Sequence, residues 1–244
     1  MKKYVLILVA AFMVMAQSVS AQAEHDEFGV WTTVEVKRDF SKKFDVSAEA
    51  EFRTQDNCKA IERWTLGIGA SYKLLSWLKA DAGYKFIDKQ ELQEVTRKGN
   101  IIDNYWSPRH RAYVSLTGKY KIGRFEFSLR ERYQFTHRIE QSVAKWGRDG
   151  SVKEDELVKA KNESALRSRI GVEWDLRKSP FTPFASCEMH NIISDNWEIE
   201  KLRWIIGSKY KFNKKHAIEV SYVFQDINYA YDQHILSVAY NFKF

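Results

Sequence analysis

From residue 44 to residue 53 the chain alternates without a break. Phe44, Val46, Ala48, Ala50 and Phe52 are apolar, and Asp45, Ser47, Glu49, Glu51 and Arg53 lie between them. A helix would scatter those charges around its circumference, whereas a strand places all of them on one face. The pattern recurs. Trp64, Leu66, Ile68, Ala70 and Tyr72 alternate with Thr65, Gly67, Gly69, Ser71 and Lys73, and Leu78, Ala80, Ala82, Tyr84 and Phe86 alternate with Lys79, Asp81, Gly83 and Lys85. Further segments of this kind begin near Phe28, Arg111, Phe125, Leu166, Phe181, Leu202, His216 and Ile235. This predicts about eleven strands of roughly the 9–11 residues that a tilted transmembrane strand needs.

The connections alternate as well. Short turns are predicted at 39–43, 75–77, 122–124, 178–180 and 213–215, and longer polar loops at 54–61, 91–109, 140–162, 191–200 and 226–233. In the longest loop, 152–161 is expected to form a helical turn or two. Short turns on one rim and long loops on the other describe a transmembrane barrel with its short rim in the periplasm. A soluble barrel or sandwich also alternates, but it turns its charges outward. Here nearly every polar face is charged, while the apolar face carries Trp64, Trp77, Trp174, Trp204, Tyr72, Tyr84, Tyr120 and Tyr210 near strand ends, where interfacial girdles form.

Both termini add to this reading. Lys2 and Lys3, the apolar stretch from Tyr4 to Ala16 and the small residues up to Ala21 form a signal peptide pattern over 1–21, with cleavage before Gln22 and a cut after Ala23 as the alternative. The remaining 22–244 is expected to be one outer-membrane β-barrel. No later run of about 18 apolar residues would supply a transmembrane helix. The chain ends with Leu236, Val238, Tyr240, Phe242 and Phe244 at alternate positions. This tail resembles the terminal strand by which the barrel assembly machinery recognises its substrates.

Residues 28–54, with the Phe-Gly-Val-Trp opening at Phe28 and the Glu49-Ala50-Glu51-Phe52-Arg53 strand, resemble the bacterial family designated domain of unknown function 2490. The resemblance spans nearly the whole mature chain. It implies an outer-membrane barrel and supplies no activity or catalytic residues.

Strand parity is strained. Bacterial single-chain barrels usually have an even count with both termini periplasmic, but stepping back from Phe244 makes the strand from Phe28 run downward from the outer rim. The expectation is therefore about twelve strands (10–12), with the unseen one between Phe181 and Phe212. An odd-numbered wall, or an N-terminal segment rising through the lumen, are the other ways out.

Of the 244 residues, 14% are aromatic, 29% are charged and three are proline, which excludes a disordered chain. The formal charge is +7, falling to about +5 once Lys2 and Lys3 are removed. The isoelectric point is about 9.2. Lys and Arg are interleaved with Asp and Glu, so no block marks a nucleic-acid surface. Cys58 falls in a loop and Cys187 on an outward strand face, so two free thiols are expected rather than a disulfide.

The chemistry is carried by the polar face. Arg53, Arg63, Arg111, Arg130, Arg132, Arg167, Arg169 and Arg203 are predicted to line the lumen with Glu49, Glu51, Glu173, Glu188 and Glu219. The plainer reading is a salt-bridged plug in which each arginine is held by a carboxylate. The sharper one is an arginine-lined passage that attracts anions. Glu131 breaks the pattern, falling outward between Leu129 and Tyr133, which suggests a bulge or a local misreading.

Membrane-embedded hydrolases of the phospholipase or lipid A deacylase type need a Ser nucleophile beside a His base. No histidine here has a Ser two residues on, which leaves only a pair brought together by folding, such as His190 with Ser186. Asp232 with His234, and Glu188 with His190, share strand faces but offer too few ligands for a metal. Glu154, Asp155 and Glu156 lack the spacing of a calcium loop. The sequence therefore predicts a non-enzymatic barrel, a narrow channel or a structural wall, with a lipid hydrolase as the alternative. No catalytic residue, metal or cofactor is expected. The expected partners are outer-membrane lipid, lipopolysaccharide and the assembly machinery.

Overall fold

A computed structural model describes residues 26–228 and 231–244. The leader predicted over 1–21, its cleavage site and His25 lie outside the described residues. Eleven long strands form the wall: β1 (Glu27–Asp39), β2 (Phe44–Gln55), β3 (Ala60–Lys73), β4 (Leu78–Glu91), β5 (Tyr105–Ile122), β6 (Phe125–Arg138), β7 (Lys161–Trp174), β8 (Phe181–Ile192), β9 (Glu198–Lys211), β10 (His216–Ile227) and β11 (Gln233–Lys243). Each pairs antiparallel with its sequence neighbours, and β1 closes on β11 to complete a barrel.

An odd number of up-and-down strands leaves the first and last running in the same direction, so the seam must be parallel. It is: Glu27 lies opposite Gln233 and Lys37 opposite Lys243, in unbroken register. The amide of Glu27 donates to the Asp232 carbonyl at 2.9 Å, and that of Phe244 to the Lys37 carbonyl at 2.9 Å. The wall thus falls within the ten to twelve strands expected, but no twelfth strand lies between Phe181 and Phe212. β8 and β9 occupy that stretch around a turn at 193–197. The odd-numbered wall resolves the parity problem.

The two faces settle which way the barrel is turned. Among the described residues the buried set is mainly polar, including Thr65, Ser107, Gln134, Glu188, His190 and Gln225. The outer surface carries Leu66, Ile68, Val114, Leu116, Leu129, Ile170 and Ile206, each at least half exposed. A soluble barrel would have these reversed. Trp64, Trp77, Trp174, Trp204, Tyr72, Tyr84 and Tyr120 are exposed with them, and Tyr210 stacks between Phe181 and Phe212. No helix among the described residues is long and apolar enough to cross a membrane. This wall would cross with strands.

The rims differ in construction. On one rim the connections are short. The shortest is the two-residue Gly123–Arg124 turn, where Gly123 takes φ 58°, the positive value that tight hairpins need at the first central position. On the other rim, the loops at 92–104 and 139–160 build small sheets of their own. Ile101–Ile102 pairs with both Glu94–Val95 and Lys145–Trp146, and Gln141–Val143 pairs with Glu156–Val158. The helical turn expected at 152–161 is therefore absent, because Glu156–Val158 is taken up in a ladder. Trp146 Nε1 donates to Asp103 at 2.7 Å and joins the two loops. The loop predicted at 54–61 shrinks to the turn 56–59, where Asp56, Asn57 and Cys58 all adopt positive φ. Cys58 and Cys187 are both free thiols.

Glu131 faces outward without any bulge. The ladder runs unbroken through Leu116↔Glu131 and Ser168↔Glu131, and its carboxylate accepts a 2.6 Å hydrogen bond from Ser168. The bulges sit elsewhere, at Arg53/Thr54 and His190/Asn191.

Replacing Ile68 with Arg puts a charge on the outer face and is expected to cost about 2–4 kcal/mol near the midplane. Ser71→Arg, beside Asp81 on the lumen side, is expected to cost less. Heat-modifiable gel mobility of the refolded proteins reads the difference, and equal losses would reverse the assignment of faces. Deleting Phe244 removes a seam hydrogen bond and the ring packed on Phe242 at 4.7 Å. We expect export to persist and the folded, membrane-inserted fraction to fall, measured by fractionation and gel shift.

Candidate functional site

The lumen holds most of the chain's interior chemistry, and its centre is one carboxylate. Glu188 on β8 is fully buried and accepts from Arg130 at 2.6 Å, Arg167 at 2.5 Å, Arg169 at 2.9 Å and Arg203 at 3.2 Å. Strand register makes this meeting possible. Glu188 lies directly opposite Arg169 on one side and Arg203 on the other. Arg130 lies opposite Arg169, and Arg132 opposite Arg167. Like charges facing each other across a ladder destabilise it, and Glu188 offsets this by binding arginines from both flanking strands and from β6 beyond.

A second cluster lies on the opposite wall. Glu51 accepts from Arg53 at 2.8 Å and Arg63 at 3.4 Å, and from Thr65 at 3.3 Å. The Arg53 guanidinium lies over the Trp31 ring, 3.5 Å from its centroid, a cation–π contact that partly replaces lost hydration. Glu49 pairs with Lys85, and Glu173 with Lys209 at 2.5 Å. Glu219 lies across the ladder from Lys209. Arg132 has no carboxylate within 4 Å among the described residues and packs on the Tyr113 ring at 4.3 Å. That ring fits against the wall because Gly83 has no side chain: a Cβ there would fall 2.5 Å from the Tyr113 hydroxyl. Among the described residues Arg111 also has no carboxylate within 4 Å; its Nε donates to Thr136 at 2.9 Å.

These groups divide the lumen into three compartments. A cavity of about 300 Å³ opens toward the long loops, lined by Arg53, Arg63, Arg111, Arg167 and Arg203 among others. A waist of about 30 Å³ follows, between Glu51, Lys85, Arg111, Tyr113 and Arg132. This leaves space for a water molecule or two. A third cavity of about 420 Å³ opens toward the short turns. The outer cavity has eight basic side chains against three carboxylates, Glu62, Glu163 and Glu200. The inner one has seven against four.

Period-two reading extends to Lys85, Lys89, Arg109, Lys201 and Lys209, which lie in phase with the interior arginines. Lys89 and Arg109 fall in stretches where strand and loop compositions look alike. Glu62 and Glu200 are different. Each is the extra residue of a bulge, unpaired in the ladder beside Arg63 or Lys201, so a bulge turns inward a side chain that strict alternation assigns to the outside.

The histidines make local pairs. His190 faces the lumen and bonds to Gln134 at 3.1 Å and to Glu200, not to Ser186. On the outer face, the Tyr84 hydroxyl meets His110 at 2.5 Å, Tyr240 meets His216 at 2.6 Å, and Tyr222 meets His234. His137 Nδ1 lies 2.7 Å from Asn162 Oδ1. Ser164 follows on the same face, but its hydroxyl bonds to that of Tyr133 at 3.0 Å. Among the described residues the Ser–His contact required for acyl transfer is not made. No group of three or more side chains suited to a metal ion occurs among the described residues.

A closed wall of up-and-down strands, apolar outside and charged within, is the architecture of an outer-membrane-type β-barrel. The beta domain of the Bordetella autotransporter BrkA has a similar fold, with a TM-score of 0.55 at 11% identity, covering 84% of this chain and 85% of that one. The family described as "Protein of unknown function (DUF2490)" matches residues 28–234, and the chain belongs to it. No curated protein matches the chain.

Glu188→Gln leaves four guanidinium groups around a neutral amide. Breaking a buried ionic cluster this way is expected to destabilise the barrel by about 3–5 kcal/mol, read as a lower urea midpoint for unfolding from lipid vesicles. An unchanged midpoint would mean that the arginines do not depend on Glu188.

Proposed function

We propose that the protein is a non-enzymatic barrel of the bacterial outer membrane, a narrow conduit whose lumen is closed to bulk diffusion and biased toward anions. One observation carries this reading: the waist of about 30 Å³ between Glu51, Lys85, Tyr113 and Arg132 separates two larger cavities, both richer in cations than in carboxylates. Charged side chains on flexible stems give a closed but adjustable constriction, and the surplus of basic groups sets the sign of any ion that passes. Outer-membrane lipid and lipopolysaccharide would surround the apolar face, and the assembly machinery would engage the tail ending at Phe244.

Purified protein in planar bilayers is expected to give little current and no large, stable open steps, with residual current favouring anions. Trimming the waist by Tyr113→Ala with Arg132→Ala is expected to raise conductance. Large cation-selective steps from the unmodified protein would refute the proposal.

A hydrolytic alternative would have to draw on His137, held beside Asn162, and on Ser164, two residues beyond Asn162 on the same face. Phospholipid and lipid A hydrolysis, measured in mixed micelles with the protein and its Ser164→Ala variant, separates the two readings. The proposal expects no turnover from either. Turnover lost on Ser164→Ala would establish the alternative.

A further inference from the structure

The carboxylates around the outer cavity are oversubscribed. Glu51 serves Arg53 and Arg63, Glu91 serves Lys89 and Arg109, Glu200 serves Lys201 and His190, and Glu188 serves four arginines. Arg111 is served by none among the described residues, its Nε donating instead to the Thr136 hydroxyl at 2.9 Å. The buried Nε atoms of Arg53, Arg63 and Arg109 have no hydrogen-bond partner among the described residues. Guanidinium groups short of acceptors are costly to bury, and of the cavity's other two carboxylates Glu62 meets Arg63 at 4.0 Å and Glu163 meets Lys161 at 3.9 Å, so three carboxylates stand against eight basic side chains.

We propose that the outer cavity is a binding site for a compact oxyanion with two or more negative charges, held by Arg111 with Arg63 and Arg53. The inference rests on the reading of the lumen as a closed, anion-attracting vestibule. The chemistry follows from the donors. A guanidinium presents parallel N–H groups that match two oxygens of a phosphate or carboxylate, a geometry that chloride cannot use. About 300 Å³ lies at the lower end of the range for small-molecule pockets. The waist below stops the ligand from passing through, so the site is loaded from the long-loop side. One polyanion there would offset the excess of eight basic side chains over three carboxylates.

The test is calorimetric titration of the whole barrel in zwitterionic detergent with inorganic pyrophosphate, with citrate and chloride run at matched ionic strength. One saturable site for pyrophosphate is expected, weakened about tenfold or more by Arg111→Gln and partly retained in Arg111→Lys. Lys119→Gln, which removes the same charge at the far rim beside Glu126, is expected to bind as the unmodified protein does. Citrate binding alongside pyrophosphate would show that the site reads oxyanion charge, and pyrophosphate binding without citrate would narrow it to phosphate; both support the proposal. No saturable binding, equal competition by chloride, or equal weakening by Arg111→Gln and Lys119→Gln would overturn it. Circular dichroism of each variant confirms the barrel. Absent binding in a barrel with low conductance removes the site and leaves the closed lumen standing, whereas saturable binding in a barrel with large open steps does the reverse.

Discussion

Backbone hydrogen bonding around a complete ring is the constraint on which the rest of this barrel depends. Lipid supplies neither donors nor acceptors, so a strand with an open edge cannot cross it. Eleven strands meet this requirement only because β1 and β11 pair in parallel along their shared length. The seam places the start of β1 on the long-loop rim and the end of β11 on the short-turn rim. Closure also divides every strand into an apolar outer face and a face that meets the other strands across a narrow lumen.

That division explains the interior. Polar side chains facing inward lose most of their water, and so many arginines in one space repel each other unless anions intervene. The chain places its carboxylates where they meet the most cations: Glu188 among four arginines, and Glu51 between Arg53 and Arg63. Trp31 and Tyr113 cover guanidinium groups with aromatic faces. The result is a waist in which Glu51 faces six basic side chains, with a cationic surplus on either side as well, and it is that surplus that gives the lumen its chemical character.

The outer face follows the same economy. Its few polar groups satisfy one another between adjacent strands: Ser168 with Glu131, Asn162 with His137, and tyrosine hydroxyls with His110, His216 and His234. In hydrocarbon an unmatched polar group costs several kcal/mol, so such residues are tolerated in pairs. This is why Glu131 sits outward without bending its strand.

Periodicity determined a great deal on its own. Alternation at period two assigns each side chain to a face, because successive Cβ atoms point to opposite sides of a strand whatever its partners. Arg130, Arg167, Arg169, Arg203 and Glu188 are therefore legible as one polar face, and Ile68 and Leu129 as the other. Three things lay beyond that pattern. The strand count and its parallel seam depend on how the ends of the ring meet. The bulges that bring in Glu62 and Glu200 are offsets between neighbouring strands, which no single strand records. The choice of which carboxylate serves which arginine depends on register between distant segments. Arg130 and Glu188 are 58 residues apart, and only the closing of the wall brings them within hydrogen-bonding distance. Alternation is a local property and can be read along the chain, whereas pairing, parity and the leftover charge of Arg111 exist only once the ring is complete.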